Sequence, residues 1–150
     1  MSRGIPGPPG SRGREREDGS LALELTLVAP VFFLMLALVL AYGRYAAVTG
    51  LTESAARDAA RAATQSRSYQ EASERVERIT AATLRDAPPS CRSTGRGRLA
   101  SDSFTPGDFI PVVVTCDVDY ADLGLPGAPG TRQLTRQFTS PLDPYRGVRP

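Results

Sequence analysis

The sequence predicts an α+β protein: a single N-terminal transmembrane helix that continues into a long extracytoplasmic helix, then a second helix, then a small antiparallel β-sheet. Three observations carry this. Nineteen residues, Leu25 to Gly43, pass without a charge. Apolar residues then recur at helical spacing, in two runs separated near Ser68. From Phe109 the period changes to two, the alternation of a half-buried strand.

The uncharged run comes first because it decides the class of molecule. At 1.5 Å per helical residue it reaches about 28 Å, close to the hydrocarbon thickness of a bilayer. A cleaved secretory signal has a shorter apolar core and a small-x-small site just after it, whereas Ala41-Tyr42-Gly43 leads into more helix. The span is therefore read as an uncleaved membrane anchor. Residues 1–18 are Gly, Pro, Arg and Ser with few apolar groups, a composition that cannot offset chain entropy, so they are predicted to form a disordered cytoplasmic leader.

Inside the span Pro30 lacks the amide that would bond the carbonyl of Thr26, which predicts a kink. Beyond the span Val48, Leu51, Ala59 and Ala62 lie within about 40° of Ala55 on a helical wheel, while Glu53, Arg57 and Arg61 lie opposite. One helix from about Leu21 to Arg67 follows, so residues 19–67 form the membrane and extended helix. Its small residues Gly50, Ala55, Ala59 and Ala63 allow close approach of another element. That element is the chain's own small domain, helices of other subunits, or both.

Residues 68–150 are read as a small extracytoplasmic α+β domain. Ser68-Tyr69-Gln70-Glu71 is a capping box that starts the second helix. Tyr69, Ala72, Val76, Ile79 and Thr83 share a face, with Glu71 to Arg75 and Glu74 to Arg78 as i,i+4 pairs, and Pro88-Pro89 ends the helix. Pro106-Gly107-Asp108 marks a turn, after which Val112, Val114, Cys116, Val118 and Tyr120 alternate with Val113, Thr115, Asp117 and Asp119. Thr131 to Thr139, with Leu134 and Phe138 inward, is a second strand. The Arg92 to Ser103 region, with Leu99, supplies a third, and Leu123 to Gly130 is a loop.

Two cysteines, Cys91 and Cys116, lie beyond the span. In an oxidising compartment they form a disulfide; two free thiols, or metal ligation, are the alternatives. Arg3, Arg12, Arg14 and Arg16 precede the span and Arg44, Arg57 and Arg61 follow it, a balance that only slightly favours an inner N-terminus. The cysteines decide the orientation: N-terminus inside, domain outside.

Composition excludes much chemistry. All eighteen basic residues are Arg, with no Lys, His or Trp, so there is no Schiff-base lysine and no imidazole base. The six aspartates from Asp102 to Asp143 follow no metal-loop spacing, and neither a phosphate loop nor a Gly-x-Ser-x-Gly elbow occurs. No cofactor, metal site or enzymatic activity is expected. A formal net charge of +2 gives no reason to expect nucleic acid.

What remains is the junction Gly19-Ser20-Leu21-Ala22-Leu23-Glu24, a charged leader joined to an apolar helix with one acid at its head. It resembles the processing site of type IV prepilins, which are cut after the Gly. With Leu23-Glu24-Leu25, Pro30 six residues after the acid, the run ending at Tyr42-Gly43-Arg44, and Ala55-Ala56-Arg57-Asp58-Ala59-Ala60-Arg61, residues 19–63 resemble the TadE-like family of Flp (tight adherence) pilus proteins. The resemblance implies a minor pilin or pseudopilin, with other pilin-like subunits, the pilus assembly machinery and a prepilin peptidase as partners. It also implies that Glu24 pairs with the new α-amino group of a neighbouring subunit. Leu25 and Ser20 depart from the family's usual Tyr and from the Phe of many pilins, so an uncleaved, permanently anchored subunit is the variant reading. The alternative from another class is a membrane-tethered extracytoplasmic binding module, with Glu24 a boundary acid.

Overall fold

The structure is a computed structural model that describes residues 14–125 and 127–145, with backbone alone for residues 14–23. In chain order it contains α1 (Arg14–Ala63), α2 (Tyr69–Thr83), a 3-10 turn (Leu84–Asp86), α3 (Pro89–Thr94), β1 (Arg96–Leu99), β2 (Phe109–Asp119) and β3 (Thr131–Pro141). This is the α+β arrangement that the sequence predicts. Compactness divides the chain into two units, Met1–Leu38 and Val39–Pro150, so the division falls inside α1.

In the first unit α1 begins at Arg14, seven residues ahead of the predicted start. Five residues read as leader, Arg14 to Asp18, are thus helical backbone, as their run of strong helix formers with acidic residues near the N-terminus allows. The rest of the leader, residues 1–13, lies outside the described residues. The helix runs through Pro30 without interruption.

The second unit is a three-stranded antiparallel sheet, order β1-β2-β3, with helices on one face. Register is set by the alternation in β2: Val112 faces Phe138, Cys116 faces Leu134, and Val114 faces Gly97. Ile110, Val112, Val114, Cys116 and Val118 are buried on the core side, with Leu99 and Leu134 beside them. Thr105-Pro106-Gly107-Asp108 closes a tight turn, Asp108 N donating to Thr105 O at 3.1 Å with Gly107 at φ 87°, a conformation glycine adopts without strain.

Ser68 caps α2 as predicted, its Oγ accepting from Glu71 N at 3.3 Å. The reciprocal bond is displaced by one residue: Glu71 Oε2 accepts from Arg67 N at 3.0 Å. Glu71 also pairs with Arg75 at 3.1 Å, but Glu74 takes Gln70 rather than Arg78. Ala72, Val76 and Thr80 are the buried face. The helix stops at Thr83, short of Pro88-Pro89, and Pro89 opens α3 from its first turn, where its missing N–H costs nothing.

Gly97 fixes how closely α2 lies on β1. A Cβ there would sit 3.0 Å from Thr80 Cβ and 3.1 Å from Val76 Cγ1, inside ordinary contact distance.

Candidate functional site

The largest chemical anomaly is the apolar surface of α1. From Leu25 to Tyr42 its large side chains are mostly exposed, Leu27 at 77% and Tyr42 at 74%, with Phe32 and Phe33 edge-to-face at 6.1 Å. Water-soluble surfaces do not carry contiguous apolar area on this scale, so lipid or other helices must cover it. Among the described residues one helix is long and apolar enough to cross a membrane, starting at Glu24. Glu24 is exposed at its head, and Gly19 and Ser20 lie in helical backbone ahead of it. Pro30 is exposed within it.

The other predicted site residues belong to the second unit. Ala55, Ala59 and Ala63 are fully buried, together with Val48, Thr52, Ala56 and Ala60. Alanine buries little area, so this face works by proximity: Thr52 Oγ1 donates to Val48 O at 2.8 Å and lies 3.7 Å from Cys116 Sγ, and the Arg57 guanidinium stands 5.5 Å from the Phe138 ring centre. These alanines are covered by the chain's own second unit. Gly50 is not part of that face; it is exposed, with open space around it.

Cys91 in α3 and Cys116 in β2 are joined, with Cα atoms 4.8 Å apart and both residues buried. Polar groups close the same seam. Asp122 Oδ2 accepts from Ser90 N at 3.1 Å and Ser90 Oγ at 2.6 Å, so a carboxylate sits at the start of α3. Those hydrogen bonds, the hydroxyl first, hold the Asp122 carboxyl below its ordinary pKa. Ser90 Oγ accepts from Asp119 N at 3.1 Å, and Thr94 Oγ1 from Asp117 N at 2.8 Å. Past the end of β1, hydroxyls of α3 thus satisfy the amides of β2. Sequence reading missed α3 and its cap; the signal for it is Pro89 followed by Ser90, an N-terminal pattern.

A cleft of about 350 Å³ opens beside the end of the apolar run, between Arg44, Val48 and Leu51 of α1 and the Ala87-Pro88-Pro89 segment. Its charged groups are Arg44, Asp86 and Asp122, the last already bonded to Ser90. Arg44 also lies against Gly124, where a Cβ would be 3.4 Å from its Cζ.

An exposed apolar helix headed by an acid, joined to a disulfide-closed α+β unit, defines a class: proteins in which a candidate membrane anchor leads into a disulfide-closed domain. Within that class, residues 19–61 match the family model described as TadE-like protein, the segment on which the sequence resemblance rests. The matched segment is the candidate membrane helix and its continuation, and it stops before α2. No curated protein and no solved structure matches the chain.

Proposed function

We propose that the chain is a minor pilin or pseudopilin-like subunit for assembly of a Flp-type pilus or related secretion system. It sits in the cytoplasmic membrane with its N-terminus inside. The observation that carries this is the exposed apolar helix headed by a single acid, Glu24, within the TadE-like segment. A prepilin peptidase cutting between Gly19 and Ser20 would leave a new α-amino group four residues before Glu24. In hydrocarbon an unpaired charge of either sign is costly, so amine and carboxylate of neighbouring subunits align by neutralising each other. The Cys91–Cys116 disulfide supports placing the second unit outside, where thiols are oxidised. Gly50, exposed and without neighbours, offers a point of close approach for a partner helix.

The test is an unreduced intact mass and N-terminal sequence of the protein from its native membranes, beside pilus incorporation of Glu24→Ala. The expected results are a chain beginning at Ser20 and normal membrane insertion with incorporation reduced at least tenfold. An intact residue 1–18 segment removes the processing step, and unchanged incorporation removes the pairing role. The Arg44 cleft gives a second reading, a membrane-tethered binding module, its footing; that reading requires a soluble fragment starting at Arg44 to retain a ligand without pilus partners.

A further inference from the structure

The Arg44 cleft lies wholly within the second unit, and that unit's own geometry places it beside the end of the uncharged run. Thr52 Oγ1 lies 3.7 Å from Cys116 Sγ, and Arg57 stands over Phe138. Because Cys116 pairs with Leu134, α1 and β3 advance in the same direction, and the β2–β3 connection is level with the part of α1 that precedes Thr52. Gly124 of that connection lies against Arg44. The stretch from Leu123 to Thr131 is the longest uncharged one beyond the span, and Val39, Leu40 and Tyr42, just before Arg44, are exposed. On the membrane-anchored reading this end of the unit meets the headgroup layer, with Tyr42 and Arg44 at the depth where aromatic rings and arginines settle.

Two charges of opposite sign line the cleft without neutralising each other. Arg44 and Asp86 are both exposed, and neither is in a salt bridge among the described residues. The third charge, Asp122, is already committed to Ser90, whose N–H and hydroxyl both donate to it. Gly124, at φ 89°, has no side chain, and a Cβ there would meet Arg44 Nη1, so bare backbone is what lets the guanidinium lie along this rim. The rest of the lining is apolar: Ala47, Val48 and Leu51 from α1, and Ala87, Pro88 and Pro89 from the segment opposite.

This combination selects its occupant. A ligand of one sign satisfies Arg44 or Asp86 and strands the other, and with Asp122 the lining carries an excess of negative charge that disfavours a purely anionic headgroup. We propose that the cleft holds the headgroup of a phospholipid bearing a primary amine, its phosphate on the Arg44 guanidinium and its ammonium on the Asp86 carboxylate. Arginine offers phosphate two parallel N–H donors, and the apolar lining suits the glycerol and the upper part of a chain. The bound lipid fastens the unit to the bilayer at a second point, beside the helix itself. The inference rests on the membrane-anchored reading, and it differs from the soluble-ligand reading of the same cleft.

The test uses the full chain in nanodiscs that mix phosphatidylethanolamine and phosphatidylglycerol in equal parts. After transfer to mild detergent, native mass spectrometry counts the lipids each chain keeps. The parent is expected to keep phosphatidylethanolamine in preference by about fivefold, the upper range for one solvent-exposed ion pair. Arg44→Gln and Asp86→Asn should each abolish that preference, and Arg61→Gln, a loss of charge away from the cleft, should leave it intact. Asp86→Arg should turn the preference toward phosphatidylglycerol, a gain that a misfolded chain cannot give. Equal retention of the two lipids by the parent would overturn the proposal while leaving the anchor in place. Retention of soluble phosphoethanolamine in place of lipid would assign the cleft to a soluble ligand and overturn it too. A chain that fails to enter nanodiscs would remove the anchor reading and this inference with it.

Discussion

Replacing Cys91 and Cys116 together by alanine isolates the contribution of the covalent seam between α3 and β2. The bridge closes a loop of 25 residues, for which the chain-entropy relation gives about 3.5 kcal/mol at 25 °C. For a unit of this size the entropy of unfolding converts that to a fall in Tm of about 14 °C. The remaining ties, Ser90 to Asp122 and Thr94 to Asp117, stay in place in the variant, so the loss reports the bridge and the packing of two buried sulfurs. The assay is thermal unfolding of the detergent-solubilised full chain followed by near-UV circular dichroism, with the unreduced parent as reference. A fall of less than 3 °C would refute the reasoning, because it would mean that the hydroxyl ladder and the alanine-lined core hold α3 without covalent help.

Two further perturbations probe neighbouring points of the same unit. Gly97→Ala drives a methyl group into Thr80 and Val76 and is expected to destabilise by about 1–3 kcal/mol, read as a lower denaturation midpoint; a neutral result would show that α2 can move off β1. Asp122 has a lowered folded-state pKa, so its contribution is complete above the ordinary carboxylate value near 4 and is lost as pH falls through the lower folded value. Tm of the parent should therefore drop more steeply below about pH 4 than that of Asp122→Asn, which should already be less stable at pH 7; identical acid slopes would contradict this.

The parts legible in the sequence were those with a strong period. Val112 to Val118 alternates cleanly, so that stretch of the inner face of β2 can be named residue by residue, with Leu134 and Leu99 beside it. Ser68 and Glu71 gave the start of α2 because a cap is a local hydrogen bond. The apolar spacing alone centres the alanine face about 60° from the buried one: Ala55, Ala56, Ala59, Ala60, Ala62 and Ala63 make a broad weak arc, and only the packing determines that Ala56 and Ala60 are buried while Ala62 stands at the margin. α3 has six residues and no period to read, and its cap comes from Asp122, 32 residues away. The helical leader and the N-terminal junction are local sequence signals too, but their use depends on partners.

Burial of one face of α1, from Val48 to Ala63, has a practical corollary for anyone handling this molecule. Trimming the gene to begin at Ser68 would strip away a wall of the globule and leave the greasy underside of three strands wet, a recipe for inclusion bodies. A water-soluble version has to keep the chain from about Arg44 onward. By the same logic, a protease nick in the short link between Ala63 and Ser68 would not liberate a working head; the severed pieces would either stay clamped together or come apart as unstructured polypeptide.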